Sequence, residues 1–148
     1  MGTKNARQIS HFILSMSACM DLHGEPVSAA ASVERVLDVG FWPMKPVNSG
    51  AVQVGDQVVL LAAGKDGKFA VATARVQVRE TFNPKSHGRK FPLEIEGERG
   101  VCLVLADINQ FEEPKPIKPM MKSLSIKAVT GEIKKITDED FAKIVGKS

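Results

Sequence analysis

The sequence is poor in aromatic residues and in cysteine. Its 148 residues include one tryptophan, seven phenylalanines, two cysteines and no tyrosine. Cys19 and Cys102 each stand among apolar or small neighbours, which favours reduced, partly buried thiols over a disulfide or a metal pair. The sequence also has no phosphate-binding glycine loop, no nucleophile elbow and no Cys/His cluster with metal spacing. These absences argue against an ordinary hydrolase or nucleotidase, and we expect no metal and no other cofactor.

Long apolar runs are missing as well. None approaches the ~20 residues that span a bilayer, and the N-terminal stretch MGTKNARQIS lacks the apolar middle of a secretory signal. We therefore expect a cytoplasmic protein that does not contact membranes. The chain is 43% hydrophobic and 25% charged, which is typical of soluble globular proteins, and its length predicts a single domain over residues 1–148.

Charge is distributed unevenly along the chain, although the formal net charge is only +3. Residues 1–74 carry six basic and six acidic side chains, whereas residues 75–90 carry five basic side chains against Glu80 alone. Residues 115–135 carry six lysines against Glu132 alone. If both basic segments fold onto one face, that face would suit a polyanion. Scattered, solvated lysines would give the same counts.

Hydrophobic periodicity predicts the elements of the first half of the chain. Ile9 to Leu14 is a short apolar run suited to a strand, and Ser28 to Leu37 repeats at helical spacing. Ser28 can cap that helix and Gly40 can end it. The clearest signal is an antiparallel hairpin, in which strands at 58–62 and 69–78 are joined through Gly64-Lys65-Asp66-Gly67.

The second half of the chain predicts two further strands and a terminal helix. The strands lie at 91–95 and 101–108, and Gly97 to Gly100 joins them. Residues 112–119 contain three prolines, which predicts an extended crossing rather than a ladder strand. Thr137 to Val145 has the acidic first turn and apolar side of a capped helix. Together these elements predict an α+β fold: a small, mostly antiparallel barrel with two or three peripheral helices.

Two aromatic segments are candidates for binding. Trp42 lies in GFWPMKPVNSG, whose prolines and glycines predict a loop, so its ring is either tucked under a local core or available to a ligand. Asn48 and Ser49 in the same loop could hydrogen-bond the edge of a base. Phe82 stands alone in RETFNPKSHGRKF among many cations, a mixture that nucleic-acid binders use. Phe82 could equally plug the end of the barrel.

The remaining polar candidates favour structural roles. We expect His11, His23 and His87 to be surface or hydrogen-bonded structural residues. Asp56 in VGDQV is explained by an Asx-type turn before a strand better than by acid or base chemistry.

The order of these features resembles an EVE domain, a member of the PUA-like barrel group that is related to YTH domains. The resemblance rests on HFIL, a helix ending in VLDVGFWPM, then GDQVVLLAAG and KFAVATARV, a lysine-rich crossing and a final ITDEDFAKIV. In such relatives, an aromatic residue after the helix forms one wall of a cage for a modified base, and Trp42 matches it. Ser15, Ser17 and Asn48 match positions of hydrogen-bonding groups. The usual aromatic pair at the first strand is here His11-Phe12.

This resemblance implies a non-enzymatic module that extrudes and binds a modified base, either a modified cytosine in DNA or a methylated base in RNA. Trp42 would stack on that base, with Phe82 as the opposite wall. The base-binding residues would be Ser15, Ser17, Phe41, Trp42, Asn48, Ser49 and Phe82, and the phosphate-binding residues would be Lys85, Arg89 and Lys90.

Two other functions stay open. The related ASCH type includes small amidohydrolases that act on acylated nucleosides, and such chemistry needs a lysine, a carboxylate and a hydroxyl in one pocket. Lys45, Asp56 and Ser49 are candidates for those roles. A protein-interaction domain with an exposed aromatic patch is the third interpretation.

Overall fold

The computed structural model describes residues 9–48, 50–65, 67–83, 85–86, 93, 99–129 and 131–146. Within these ranges the chain forms eight strands and two α-helices. The strands are β1 (His11–Ser17), β2 (Cys19–Met20), β3 (Pro26–Val27), β4 (Phe41–Met44), β5 (Gln57–Gly64), β6 (Gly67–Thr81), β7 (Val101–Pro116) and β8 (Ile133–Ile136), and the helices are α1 (Ala29–Val39) and α2 (Asp138–Val145). Single 3-10 turns are formed by Pro46–Asn48 and Lys118–Met120.

Six of the strands form one sheet in the order β4-β7-β6-β5-β1-β8, and β2 and β3 form a separate two-stranded ribbon. The sheet curves as a half-barrel. Its neighbouring strands are antiparallel except for β1 and β5, which run parallel. The α+β class and the mostly antiparallel sheet are therefore confirmed.

Both faces of the central strands β1 and β5 are covered by apolar clusters. Phe12 and Leu14 of β1 pack into a first apolar cluster together with buried residues of α1, whereas Ile13 packs into a second cluster together with Ile144 of α2. β5 alternates in the same way, because Val59 belongs to the second cluster and its neighbours on either side to the first. A strand that is covered on both faces has apolar residues at every position, which explains the continuous apolar run in the sequence.

The predicted hairpin is confirmed. β5 and β6 pair antiparallel from Gln57, opposite Arg75, to Gly64, opposite Gly67. The register shifts so that Leu60 pairs with Ala72 while Leu61 pairs with Ala70. This shift leaves Val71 as an extra residue in β6, and such a bulge increases the local twist of the strand.

Helix α1 begins and ends at the residues that the sequence indicates. The Ser28 hydroxyl accepts a hydrogen bond from the Ala31 backbone N–H at 3.2 Å. Gly40 has a left-handed conformation with φ of 78°, and its N–H donates to the carbonyl of Val36. Because a residue with a Cβ is strained at such a φ, glycine at this position ends the helix without cost.

Helix α2 is fixed at both of its ends. Thr137 and Asp140 form a reciprocal capping box at its start, and the Asp140 carboxylate also accepts the backbone N–H of Ser125 at 2.8 Å. Burial opposes ionisation of Asp140, but hydrogen bonds from Ser125 and Thr137 outweigh it and lower the pKa of that carboxyl. At the other end, the Lys115 ammonium donates to the carbonyls of Ile144 and Val145. The helix is thereby held on residues 115–125.

The loop prediction for Phe41 and Trp42 is wrong, because both residues lie in strand β4. Residues 41–44 pair antiparallel with residues 101–104 of β7, and Pro43 lies opposite Cys102. β4 is the edge of the sheet. A proline is tolerated in an edge strand, since one side of that strand needs no backbone donors.

The extended crossing predicted for residues 112–119 is also wrong in part. β7 continues to Pro116, which pairs with Phe69. β4 pairs only with the first four residues of β7, so the later half of β7 has a partner on one side and accommodates its prolines there. The strand predicted at 91–95 lies outside the described residues apart from Leu93, which is buried. In the described ranges, neither helix has the length and apolar character required to cross a bilayer.

Burial supports a stability prediction for the hairpin. Val59 is fully buried, so Val59→Ala should lower the free energy of unfolding by roughly 1–3 kcal/mol through lost burial and a small cavity. The control is Val47→Ala, because Val47 is 86% exposed. Chemical denaturation of the three proteins measures the difference. An equal midpoint for Val59→Ala and the parent would contradict the observed facing of β5.

Candidate functional site

A cleft of about 800 Å³ opens at the carboxyl end of β1. Its lining residues come from β1 and the residue after it, the β2–β3 ribbon, β4 and the residue after it, the facing ends of β5 and β6, and the segments that precede β7 and β8. They are Ser15, Met16, Ser17, Ala18, Cys19, Met20, Pro26, Trp42, Pro43, Lys45, Ala63, Lys68, Arg99, Val129, Gly131 and Glu132.

Glu132 connects two parts of the sheet at this cleft. Its carbonyl accepts the backbone N–H of Ser15 at 2.9 Å, and its Oε1 accepts the backbone N–H of Lys45 at 3.1 Å. Ser15 lies on β1 and Lys45 follows β4, which is the far edge of the sheet. The cleft therefore lies where the end of β4 approaches β1 and β8. Glu132 connects the two sides, because its carbonyl is bonded to β1 and its carboxylate to the residue after β4.

The walls of the cleft are largely apolar. Trp42 and Pro43 contribute from β4, and Met16 and Met20 contribute from the opposite side. Met20 is 41% exposed, whereas Trp42 is only 1% exposed. The tryptophan is therefore a buried part of the wall, and the methionines offer adaptable apolar surface to an occupant.

Among the described lining residues of the cleft, basic side chains outnumber acidic ones. Lys45, Lys68 and Arg99 line it, and Glu132 is the single carboxylate among the described lining residues. The Lys68 ammonium donates to the carbonyl of Val129, which fixes it beside the cleft. Three cations against one carboxylate favour an anionic occupant.

The structure brings together three of the predicted base-binding residues, Ser15, Ser17 and Trp42. The others described are elsewhere. Phe41 is buried in the first apolar cluster, Phe82 is half-buried against the same cluster, and Asn48 lies in the 3-10 turn. Ser49 is outside the described residues.

The location of Trp42 changes the role that its ring can take. A side chain that is 1% exposed leaves almost no ring surface for a base to stack on, so this arrangement does not support the predicted stacking. The burial of Trp42 and Phe41 also removes the aromatic patch of the protein-interaction hypothesis from this segment. In the described part of the chain, the large exposed hydrophobic side chains are all aliphatic.

The predicted phosphate-binding residues do not line the cleft where they are described. Lys85 is exposed in a short turn, in which its backbone N–H donates to the Asn83 side chain at 2.8 Å. Arg89 and Lys90 lie outside the described residues. Their role stays a prediction.

Sequence reasoning missed Lys68, Arg99 and Glu132, and it considered Lys45 only for amidohydrolase chemistry. Glu132 had a usable signal, because it is the only acid in the basic segment 115–135. Lys68 and Arg99 had no such signal in the sequence, since each is one isolated basic residue within a segment that reads as an ordinary strand or loop.

Asp56 lies at the end of a turn before β5, in which its backbone N–H donates to the carbonyl of Gln53 at 3.1 Å, but the bonds of its side chain are not those of an Asx-type turn. The carboxylate is fully buried and accepts the backbone N–H groups of Ser10 at 3.0 Å and Gln53 at 2.9 Å. Asp56 is not a lining residue, so its role in the amidohydrolase hypothesis is wrong. His11 of β1 packs its ring at 4.9 Å from that of Phe141, which is a structural contact.

The cysteines are free thiols, as predicted. The pKa of the Cys102 thiol is raised to about 12, mainly by burial and secondly by the nearby charge of Glu80. No group of three or more metal-ligating side chains occurs among the residues that the structure describes.

Comparison with solved structures identifies the fold. An ASCH protein from Zymomonas mobilis superposes with a TM-score of 0.61 over 91% of this chain and 93% of its own, at 12% identity. A hypothetical protein from Leishmania major superposes with a TM-score of 0.59 over 95% of each chain, at 14% identity. No protein-family model and no curated protein matches the sequence.

The structural likeness defines the class. The chain has the PUA-like fold that ASCH and EVE domains share. The resemblance to EVE domains is thus supported at the level of the fold, and EVE membership itself stays a prediction.

Fluorescence of the single tryptophan tests the described wall. Because Trp42 is buried, its emission should be blue-shifted and weakly quenched by acrylamide in the native protein, and it should shift to the red in denaturant. Trp42→Ala should lower the free energy of unfolding by roughly 3–5 kcal/mol. A red-shifted native emission that acrylamide quenches freely would contradict this placement.

Proposed function

We propose that this protein is a binding module that holds one base of a nucleic acid in the cleft at the end of β1. The observation that carries the proposal is the combination of apolar walls with Lys45, Lys68 and Arg99 in a single cleft. A nucleotide presents the matching chemistry, because its base is largely apolar on its faces and its phosphate is anionic.

The size of the cleft supports one nucleotide rather than a duplex. Small-molecule sites measure roughly 300–1,000 Å³, and the cleft of about 800 Å³ lies within that range. A base that is paired in a helix must be extruded before it enters, at a cost of a few kcal/mol. Single-stranded nucleic acid should therefore bind better than duplex, and the module should bind weakly on its own.

The walls favour a base that carries an added methyl group. Met16, Met20 and Pro43 surround the cleft with apolar surface, while the hydroxyls of Ser15 and Ser17 can bond to the edge of the base. Burying one methyl contributes about 0.8 kcal/mol, or roughly fourfold in affinity. We accordingly propose a modified cytosine in DNA or a methylated base in RNA as the ligand.

The cations of the cleft provide the first test. The double variant Lys45→Ala/Arg99→Ala should bind a short single-stranded oligonucleotide more weakly. The slope of the logarithm of the binding constant against the logarithm of the salt concentration should also be less steep by about 1.4. Each phosphate contact contributes about 0.7 to this slope for a single strand. Affinities at several salt concentrations measure both effects.

Lys85→Ala is the control, because Lys85 is exposed and does not line the cleft. It should leave the slope nearly unchanged. If Lys85→Ala together with substitution of Arg89 and Lys90 flattens the slope while the cleft variant does not, the phosphates bind along residues 85–90 instead.

Amidohydrolysis of acylated nucleosides is the second candidate function. The observation that favours it is that the cleft contains Lys45, Glu132 and Ser15, the lysine, carboxylate and hydroxyl that such chemistry needs. The backbone N–H of Lys45 also holds the Glu132 carboxylate at 3.1 Å. Both candidate functions place the same nucleoside in the same cleft.

Incubation with N-acetylated nucleosides separates the two candidates. A binding module should release no acetate over hours, as measured by chromatography of the nucleoside. Steady release that Lys45→Met abolishes would establish the enzyme, because this substitution keeps the backbone N–H and removes only the amine. Release that Lys45→Met leaves unchanged would indicate a contaminating activity.

A further inference from the structure

We propose that Glu132 is the specificity-determining residue of the cleft and selects a base whose edge presents an amino group beside a ring nitrogen acceptor. Cytosine and adenine have this edge, whereas uracil and thymine do not. The inference rests on the proposed nucleotide binding and adds to it the class of base.

The position of the Glu132 carboxylate is set by the main chain. Its own carbonyl accepts from the backbone of Ser15 and its Oε1 accepts from the backbone of Lys45. Neither anchor depends on a flexible side chain. The carboxylate is therefore held at the cleft before a ligand arrives, which lowers the entropy cost of using it for recognition.

The bond from Lys45 engages Oε1, and Oε2 has no hydrogen-bond partner among the described residues. A carboxylate has about four acceptor positions and, when ionised, no donor. An occupant that contacts it must consequently present a donor. Because Oε1 is already bonded to Lys45, Oε2 is the oxygen left for the ligand. A single exocyclic amino group fits this arrangement better than a ligand that must donate to both oxygens at once.

Ser15 lies beside Glu132, because their backbones are directly hydrogen-bonded. A hydroxyl turns to act as donor or acceptor, so Ser15 can pair with the ring nitrogen of any base and discriminates little. Discrimination therefore falls on Glu132. The N4 amino group of cytosine and the N6 amino group of adenine can donate to it, whereas the O4 of uracil or thymine would place acceptor against acceptor.

Two oligonucleotides isolate this edge. Single-stranded pentamers that differ only in a central 5-methylcytosine or thymine carry the same methyl group and the same phosphates. The two bases differ only at the edge in question, which presents an N4 amino group and an N3 acceptor in 5-methylcytosine but an O4 keto group and an N3–H donor in thymine. The parent should bind the 5-methylcytosine pentamer on the order of tenfold more tightly, as expected for one hydrogen bond to a charged group.

Glu132→Gln should abolish or reverse that preference, because with its oxygen bonded to Lys45 the side-chain amide presents its NH2 group, a donor, to the base. The glutamine oxygen can still accept from Lys45, so the bridge is retained. Losing one negative charge should tighten binding of both pentamers equally, and the ratio of affinities is therefore the readout. Glu139→Gln is the matched control, since Glu139 is exposed on α2, and it should keep the parent ratio.

The outcomes are distinguishable. Equal binding of both pentamers by the parent would overturn the role of Glu132 while leaving nucleotide binding intact. A parent preference that Glu132→Gln does not reduce would also overturn it. If neither pentamer binds, the proposed function fails and this inference with it. Should Glu132→Gln not fold, as judged by its thermal midpoint, equal binding of both pentamers by the parent would still overturn the proposal.

Discussion

The parallel pairing of β1 with β5 is the constraint on which the rest of the structure depends. Parallel neighbours cannot be joined by a tight turn, so a long crossover must connect Ser17 at the end of β1 to Gln57 at the start of β5. The crossover contains the β2–β3 ribbon, α1 and β4. It places α1 against the first apolar cluster and carries β4 to the far edge of the sheet.

The cleft is a consequence of this crossover. β1 ends at residues 15–17 with the ribbon immediately after it, and the crossover returns β4 to the same region, where Trp42 and Pro43 form the opposite wall. Glu132, just before β8, joins the two sides through backbone groups of Ser15 and Lys45. A site at the edges of a sheet can expose hydrogen-bonding groups that, inside the sheet, would be bonded to neighbouring strands. The proposed ligand site therefore lies where β4 approaches β1 and β8.

The helix ends and the hairpin were predicted correctly because they depend on interactions between residues that are close in the sequence. Ser28 and Gly40 delimit α1 through bonds to residues three or four positions away, and the Thr137 capping box does the same for α2. The β5–β6 hairpin follows from two apolar strands that are close in the sequence. The prolines of β4 and β7 led to the wrong prediction of a loop and of a crossing outside the sheet. A proline is excluded from a central strand but not from an edge strand, and only the assembled sheet shows which strands are edges.

The sequence by itself determined the α+β class, the two helices with their caps, the hairpin and the apolar strand that became β1, because each depends on residue periodicity or on contacts within a few residues. It also identified Ser15, Ser17 and Trp42, through a family resemblance. Only the tertiary structure decided that Trp42 is a buried wall and that Lys45, Lys68, Arg99 and Glu132 share a cleft with the serines. Lys45 and Glu132 are 87 residues apart in the chain. Such a contact is set by strand order and register, which arise from packing of the whole sheet and leave no local pattern to read.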